Sequence, residues 1–166
     1  MTRILFVCHG NICRSPMCEF IMKDLVRKAQ CGDEFEIASA ATTSEEIWNG
    51  TGNPVYPPAR RVLMEHGIGI PGNELGVAAK RACLLKRSDY AHYDRIIGMD
   101  AENMQDMQRI LGGDPYRKLS LLMNYTSRPG EVSDPWYTRD FNATWRDAYE
   151  GCRGLLDACR KKEGKI

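Results

Sequence analysis

Apolar positions along the chain change their period several times, and each change marks an element. Ile4-Leu5-Phe6-Val7 is an unbroken apolar run, the signature of a strand buried on both faces. From Pro16 to about Lys28 the spacing becomes helical, with Phe20, Ile21, Leu25 and Val26 on one side and Ser15 available as N-cap. Phe35 to Ala38 reads as a second short strand. Thr42 to Pro58 has no period, is rich in Ser, Thr, Gly, Asn and Pro, and reads as a long loop carrying Trp48. Loops of that length in small domains are often functional. Pro58 to His66 is expected as a helix closed by Gly67, and Asp94 to Met99 as a third strand. Asp100 opens a helix running to about Leu111 before Gly112-Gly113, and Lys118 to Met123 supplies a fourth strand. Asp134 to Thr138 falls in a loop, and roughly Asp140 to Lys161 forms a closing helix.

Strands alternating with helices define an α/β class. The expectation is a three-layer αβα sandwich on a four-stranded parallel sheet, helices covering both faces. With 166 residues, one domain over 1–166 is expected, without internal repeats. Ligands in such sheets bind beyond the carboxyl ends of the strands, and the segment after Val7 lies at such an end.

Composition narrows the partners. Hydrophobic content of 43% and charged content of 27% are those of an ordinary globular chain, and the formal net charge is +1. No global field favours nucleic acid or an anionic membrane, and no apolar stretch is long enough to span a bilayer. The N-terminal apolar run is too short for a secretory leader. Arg160-Lys161-Lys162-Glu163-Gly164-Lys165 reads as a solvated helix end, where cations suit the dipole. Seven cysteines are odd in number and lack paired C-x-x-C units. Cys152 and Cys159 stand roughly 10 Å apart along one helix, too far to bridge. Free thiols in a reducing cytoplasm are expected.

The chemistry concentrates in Cys8-His9-Gly10-Asn11-Ile12-Cys13-Arg14-Ser15, set between the first strand and a helix with Pro16 in its first turn. A loop so placed aims backbone N–H groups, a helix N-terminus and a guanidinium at one point, with a thiol beneath it. Gly10 and Asn11 supply the backbone freedom of an anion nest. Positive potential favours the nucleophilic thiolate. The same groups fit a transferring phosphoryl, whose charge spreads over three oxygens that Arg14 can grip in a bidentate fork. Ser15 can donate to the Cys8 sulfur. A phosphate ester also needs an acid for its leaving oxygen, and the chain has two Asp-Pro pairs. Asp114-Pro115, after Gly112-Gly113, is best explained as a turn. Asp134-Pro135 is followed by Trp136 and Tyr137, aromatics that could wall a phenyl ring. His9, His66 and His92 show no metal-site spacing.

The stretch Val7 to Pro16 resembles the phosphate loop of the low-molecular-weight protein tyrosine phosphatases, which also carry it at the extreme N-terminus. Ser39-Ala40-Ala41-Thr42, Trp48-Asn49, Met99-Asp100 with Asn103, and Asp134-Pro135-Trp136-Tyr137 match further along in the same order. The resemblance implies hydrolysis of phosphotyrosine in proteins through a phosphocysteine, without cofactor or metal, and inhibition by phosphate and other oxyanions. It assigns Cys8 as nucleophile, Arg14 as phosphate clamp and Asp134 as general acid and base. It places His9, Gly10, Asn11, Ile12, Cys13, Ser15, Trp48, Trp136 and Tyr137 around the substrate, with Ser39 supporting Asn11. Cys13 becomes a reversible disulfide partner for Cys8 under oxidation. Some relatives act on phosphoarginine and carry threonine where this chain has Ile12, whose apolar side suits an aromatic ring. Many members have a histidine ahead of the third strand. Here Val77-Ala78-Ala79-Lys80-Arg81 has none, so its support must come from elsewhere.

Three rival readings remain weaker. A thioredoxin-linked arsenate reductase needs further cysteines close together, and only Cys83 precedes the third strand. A non-catalytic phosphate-binding module leaves nucleophile, arginine and acid unexplained. A P-loop nucleotide hydrolase requires a Gly-Lys-Ser/Thr ending that this loop lacks.

Overall fold

In the computed structural model, which describes residues 1–162, the elements run β1 (Thr2–Cys8), α1 (Arg14–Lys28), β2 (Phe35–Ala41), β3 (Ile47–Trp48), β4 (Thr51–Gly52), α2 (Pro57–Glu65), α3 (Asp89–His92), β5 (Arg95–Gly98), α4 (Ala101–Leu111), β6 (Leu119–Leu121), α5 (Pro135–Thr138) and α6 (Phe141–Lys162). Single 3-10 turns occupy Gly32–Glu34 and Leu122–Tyr125. The Glu163-Gly164-Lys165 part of the basic tail lies outside the described residues.

The unbroken apolar run of β1 reflects burial on both faces. Ile4, Phe6 and Cys8 pack into a core with α1, α2 and α6, while Leu5 and Val7 face a second core with Met107 and Leu111 of α4. The sheet order is β2-β1-β5-β6, with every neighbouring pair parallel. The chain leaves β1 toward β2 on one side and later returns to β5 on the other. A crevice therefore opens at the carboxyl ends of β1 and β5. Register puts Cys8 opposite Ala41 and Val7 opposite Gly98, so the thiol sits at the lip of that crevice. The α/β three-layer arrangement and the four-stranded parallel sheet are those expected from the sequence.

Local details differ. The segment read as one long loop contains the β3–β4 hairpin, turned by Asn49-Gly50 with both φ values positive, the pattern of a tight two-residue turn. Asp134 to Thr138 is not open loop: Asp134 caps the single helical turn of α5 by accepting from the Trp136 N–H at 3.0 Å. Helix α1 starts at Arg14, with Cys13 at the cap position and no side-chain cap, so Ser15 is not an N-cap. The fourth strand stops at Leu121 and gives way to the 3-10 turn. Helix α6 presses on that turn so closely that a Cβ on Gly154 would collide with the Tyr125 carbonyl oxygen.

Asp24 ties α1 to the loop after α2. Its carboxylate accepts from Asn73 Nδ2 at 2.9 Å and pairs with Lys28 at 2.8 Å, at 6% side-chain exposure. Burial alone would raise its pKa, but hydrogen bonds from Lys28 and Asn73 and the charge of Lys28 leave it lowered. A carboxylate lowered on folding stabilises the native state above its unfolded value of about 4 and loses that contribution as pH falls through the folded value. Asp24→Asn is expected to destabilise by about 1–2 kcal/mol at pH 7 in urea unfolding. The deficit relative to wild type should shrink in the same measurement at pH 3.

Candidate active site

Strand β1 delivers Cys8 to the crevice, and the loop from His9 to Cys13 closes around its sulfur. The loop's carbonyls are bonded outward: Cys8 O accepts from Thr42 N at 3.0 Å, His9 O from Thr43 N at 3.1 Å and Ile12 O from Tyr56 N at 2.9 Å. The N–H groups of Gly10, Ile12 and Cys13 have no acceptor among the described residues, which leaves them available to an anion. The N–H groups of Asn11 and Ser15 each donate to Cys8 Sγ at 3.4 Å.

Asn11 holds the loop in shape. It takes a left-handed backbone at φ 60°, a conformation asparagine tolerates better than most residues, and it is buried. Its Oδ1 accepts from Cys83 N at 3.1 Å, which fixes the amide's orientation. Its Nδ2 then donates to Ser15 Oγ at 2.8 Å and Ser39 Oγ at 2.9 Å. With Ser15 Oγ already accepting, its own proton is free for Cys8 Sγ at 3.0 Å. Ser39 likewise sends its proton on, to Glu19 Oε1 at 2.6 Å. Glu19 is 5% exposed and its charge is matched by Lys23 at 2.7 Å and Lys80 at 3.6 Å. Lys80 also donates to the Ser39 carbonyl at 2.9 Å. In the stretch that has no histidine, Lys80 is thus the residue that reaches this network. Lys80→Met strips one of two cations from a buried carboxylate and should lower stability by about 1–3 kcal/mol in chemical denaturation.

Arg14 enters from the other side, with 6% side-chain exposure. Nη1 donates to Asp100 Oδ2 at 2.8 Å, and Nη2 lies 3.4 Å from Asp134 Oδ2. Asp100 is itself fixed as the cap of α4: its Oδ1 accepts from Asn103 N at 2.7 Å, and Asn103 Oδ1 accepts from Asp100 N at 3.2 Å. Burial would lower the Arg14 pKa, but the charge of Cys8, the Asp100 hydrogen bond and Asp134 leave it raised, so the guanidinium stays charged. Cys13 is pushed up to about 12, by burial first and then by Cys8 and Asp134, with Arg14 opposing. It remains a thiol in neutral solution.

These groups line a cavity of about 380 Å³ whose walls include Cys8, the loop from His9 to Arg14, Asp134, Trp136 and Tyr137. Ser15 and Ser39 lie beneath it as part of the network. Trp48 does not line it. Strand alternation turns Ile47 inward and Trp48 outward, and the indole is 70% exposed on the hairpin. Glu45, Glu46, Asp100, Glu102 and Asn103 line the cavity in addition to the residues proposed from sequence. Asp100 reads in the sequence as a helix opening, and Asn103 as part of the family resemblance. Nothing in the loop composition distinguished Glu45 and Glu46. The Asp114-Pro115 pair is structural, as its setting suggested: Asp114 accepts from Tyr90 OH and from the N–H groups of Lys118 and Leu119. The histidines are dispersed: His66 stacks on Trp145, His92 pairs with Glu36, and His9 bonds Glu45 at 2.8 Å. All seven cysteines are unbridged.

An α/β crevice that offers a thiol inside a loop of unpaired N–H groups is suited to a phosphate ester, and comparison with known proteins supplies the family. Residues 3–165 match the family model described as low molecular weight phosphotyrosine protein phosphatase. The chain belongs to that family, which places it among the protein-tyrosine phosphatases. It is 32% identical to the low molecular weight protein-tyrosine-phosphatase YfkJ of Bacillus subtilis, over 98% of this chain and 99% of that one. The crystal structure of YfkJ superposes with a TM-score of 0.86, covering 98% of this chain and 96% of that one at 31% identity. A low molecular weight protein tyrosine phosphatase from Streptococcus pyogenes gives 0.80 at 33% identity, covering 95% and 93%.

Proposed function

We propose that this chain, acting as a single domain, hydrolyses phosphotyrosine in proteins in two steps through a phosphocysteine. One observation carries the assignment: Cys8, Arg14 and Asp134 line one cavity, with the Asp134 carboxylate 3.4 Å from the guanidinium that would hold the phosphate. In the first step the Cys8 thiolate attacks phosphorus and the tyrosyl C–O–P bond breaks at phosphorus. Asp134 gives its proton to the departing phenolate. Arg14 and the loop N–H groups stabilise the equatorial oxygens as charge develops. In the second step Asp134, now a base, takes a proton from water, the water oxygen forms the new bond to phosphorus, and the thiolate leaves. Ser15 donates to that sulfur and eases its departure. No cofactor or metal enters either step.

Ile12 lines the cavity with an apolar side chain, which supports an aromatic leaving group over a guanidino one. Turnover of a phosphotyrosine peptide should exceed that of the matching phosphoarginine peptide by about tenfold or more in kcat/KM. The reverse order would move the substrate assignment. Two positions are further proposals from the same reading. Trp48 contacts protein substrates that reach beyond the cavity. Cys13 closes a disulfide with an oxidised Cys8 sulfenic acid, releasing water. Inorganic phosphate and related oxyanions would occupy the loop as inhibitors. Seven cysteines without a disulfide fit a cytoplasmic setting, and among the described residues no helix is long and apolar enough to cross a membrane.

A further inference from the structure

The cavity's floor and its mouth have opposite electrostatic character. The floor offers N–H groups and the Arg14 guanidinium. Around it the lining contributes five carboxylates, those of Glu45, Glu46, Asp100, Glu102 and Asp134, while among the described residues Arg14 is the only Lys or Arg in the lining. Arg14 engages Asp100 and Asp134, so the other three are not offset by it. Glu45 bonds His9 Nε2 at 2.8 Å, at 66% side-chain exposure. Glu46 accepts from the neutral amide of Asn53 at 2.7 Å and leans over the loop, its Cγ 3.2 Å from where a Cβ on Gly10 would be. Glu102, in the first turn of α4, has no ion-pair partner among the described residues. The chain as a whole carries a formal charge of +1, so this concentration of negative charge is local to the mouth.

A second feature points the same way. Trp136 and Tyr137, at 78% and 81% exposure, line the same cavity. Exposed aromatic faces beside carboxylates form a surface that attracts guanidinium and ammonium groups, by cation–π contact as well as by charge. A cavity of about 380 Å³ accommodates one phosphorylated ring. Neighbouring residues of an extended substrate, spaced about 3.3–3.6 Å apart along the chain, would then lie at this rim.

We propose that Glu45, Glu46 and Glu102, with Trp136 and Tyr137, make the mouth selective for phosphotyrosine flanked by arginine or lysine and unfavourable to phosphotyrosine in acidic surroundings. The inference rests on the phosphotyrosine reading and adds the substrate's sequence context to it. The rim gives the enzyme a means of choosing among phosphotyrosines that a uniformly cationic mouth would not provide. Exposed pairs are individually weak, each changing kcat/KM by about 1.5- to 5-fold, so several must act together.

The test uses three phosphotyrosine peptides, identical except that the two residues on each side are arginine, alanine or glutamate. Values of kcat/KM are measured on the full chain at low salt and at about 0.5 M salt. The arginine peptide should exceed the glutamate peptide by about tenfold or more at low salt, with alanine between, and high salt should compress the ratio to about threefold or less. The triple variant Glu45→Gln, Glu46→Gln, Glu102→Gln should bring the low-salt ratio close to one. Equal turnover of the three peptides, the reverse order, or a ratio indifferent to both salt and the triple variant overturns the assignment of the rim while leaving the phosphatase reading intact. No turnover of any peptide overturns both.

Discussion

Cys8→Ser is expected to lose on the order of 10⁴-fold or more of kcat on p-nitrophenyl phosphate and on phosphotyrosine peptides. A hydroxyl in the same position accepts the N–H groups of Asn11 and Ser15, which lie 3.4 Å from the present sulfur, so the loop should keep its shape. It does not ionise near neutral pH, because a serine has no base beside it here. The nearest side-chain partner is Ser15 Oγ, itself a hydroxyl. The thermal midpoint should therefore move little while turnover disappears, and phosphate should still bind. Retained turnover would remove Cys8 from the mechanism. The same variant separates the rival chemistry, because arsenate reduction by wild type would show the thiol at work on a different substrate.

Asp134→Ala is expected to lower kcat by about 10²- to 10⁴-fold, and the loss should depend on the leaving group. An alkyl or unsubstituted phenyl phosphate must be protonated as its ester bond breaks and should suffer most. p-Nitrophenolate leaves readily without a proton and should suffer least. A loss equal across the series would place the acid elsewhere. Asp134 also caps α5 and stands near Arg14, so circular dichroism and a thermal midpoint on the variant are needed beside the kinetics. A helix of four residues contributes little to global stability, and a small shift is expected there.

Much of the fold was legible because its signals are strong and local. Ile4 to Val7 reads as a buried strand, and the alternation of strand with helix left a parallel sheet as the economical arrangement. The candidate site was legible for a different reason: the proposed nucleophile, the loop N–H groups and the arginine fall within eight consecutive residues. What was hidden depends on distant parts of the chain. Ser15 looks like an N-cap in sequence, yet its hydroxyl is claimed by Asn11 and Cys8. Glu19 reads as one more polar helix position until Ser39 and Lys80 close on it. The β3–β4 hairpin is two residues per strand, too short for a period to show; Glu46, just before it, lines the cavity, and Trp48, within it, does not. Asp134 was reached by resemblance to a family motif, since its loop carries no periodic signal of its own.

The hydrogen bonds that shape the loop around Cys8 join residues far apart in sequence. Asn11 is tied to Ser39 across 28 positions and to Cys83 across 72, and Arg14 to Asp100 across 86. Loop-closure entropy makes contacts of that separation late events in folding, after local helices have formed. A partly folded chain therefore contains every reactive residue and no catalyst. Recovery of turnover reports the completion of the native topology, and far-ultraviolet circular dichroism, which follows helix formation, recovers ahead of it.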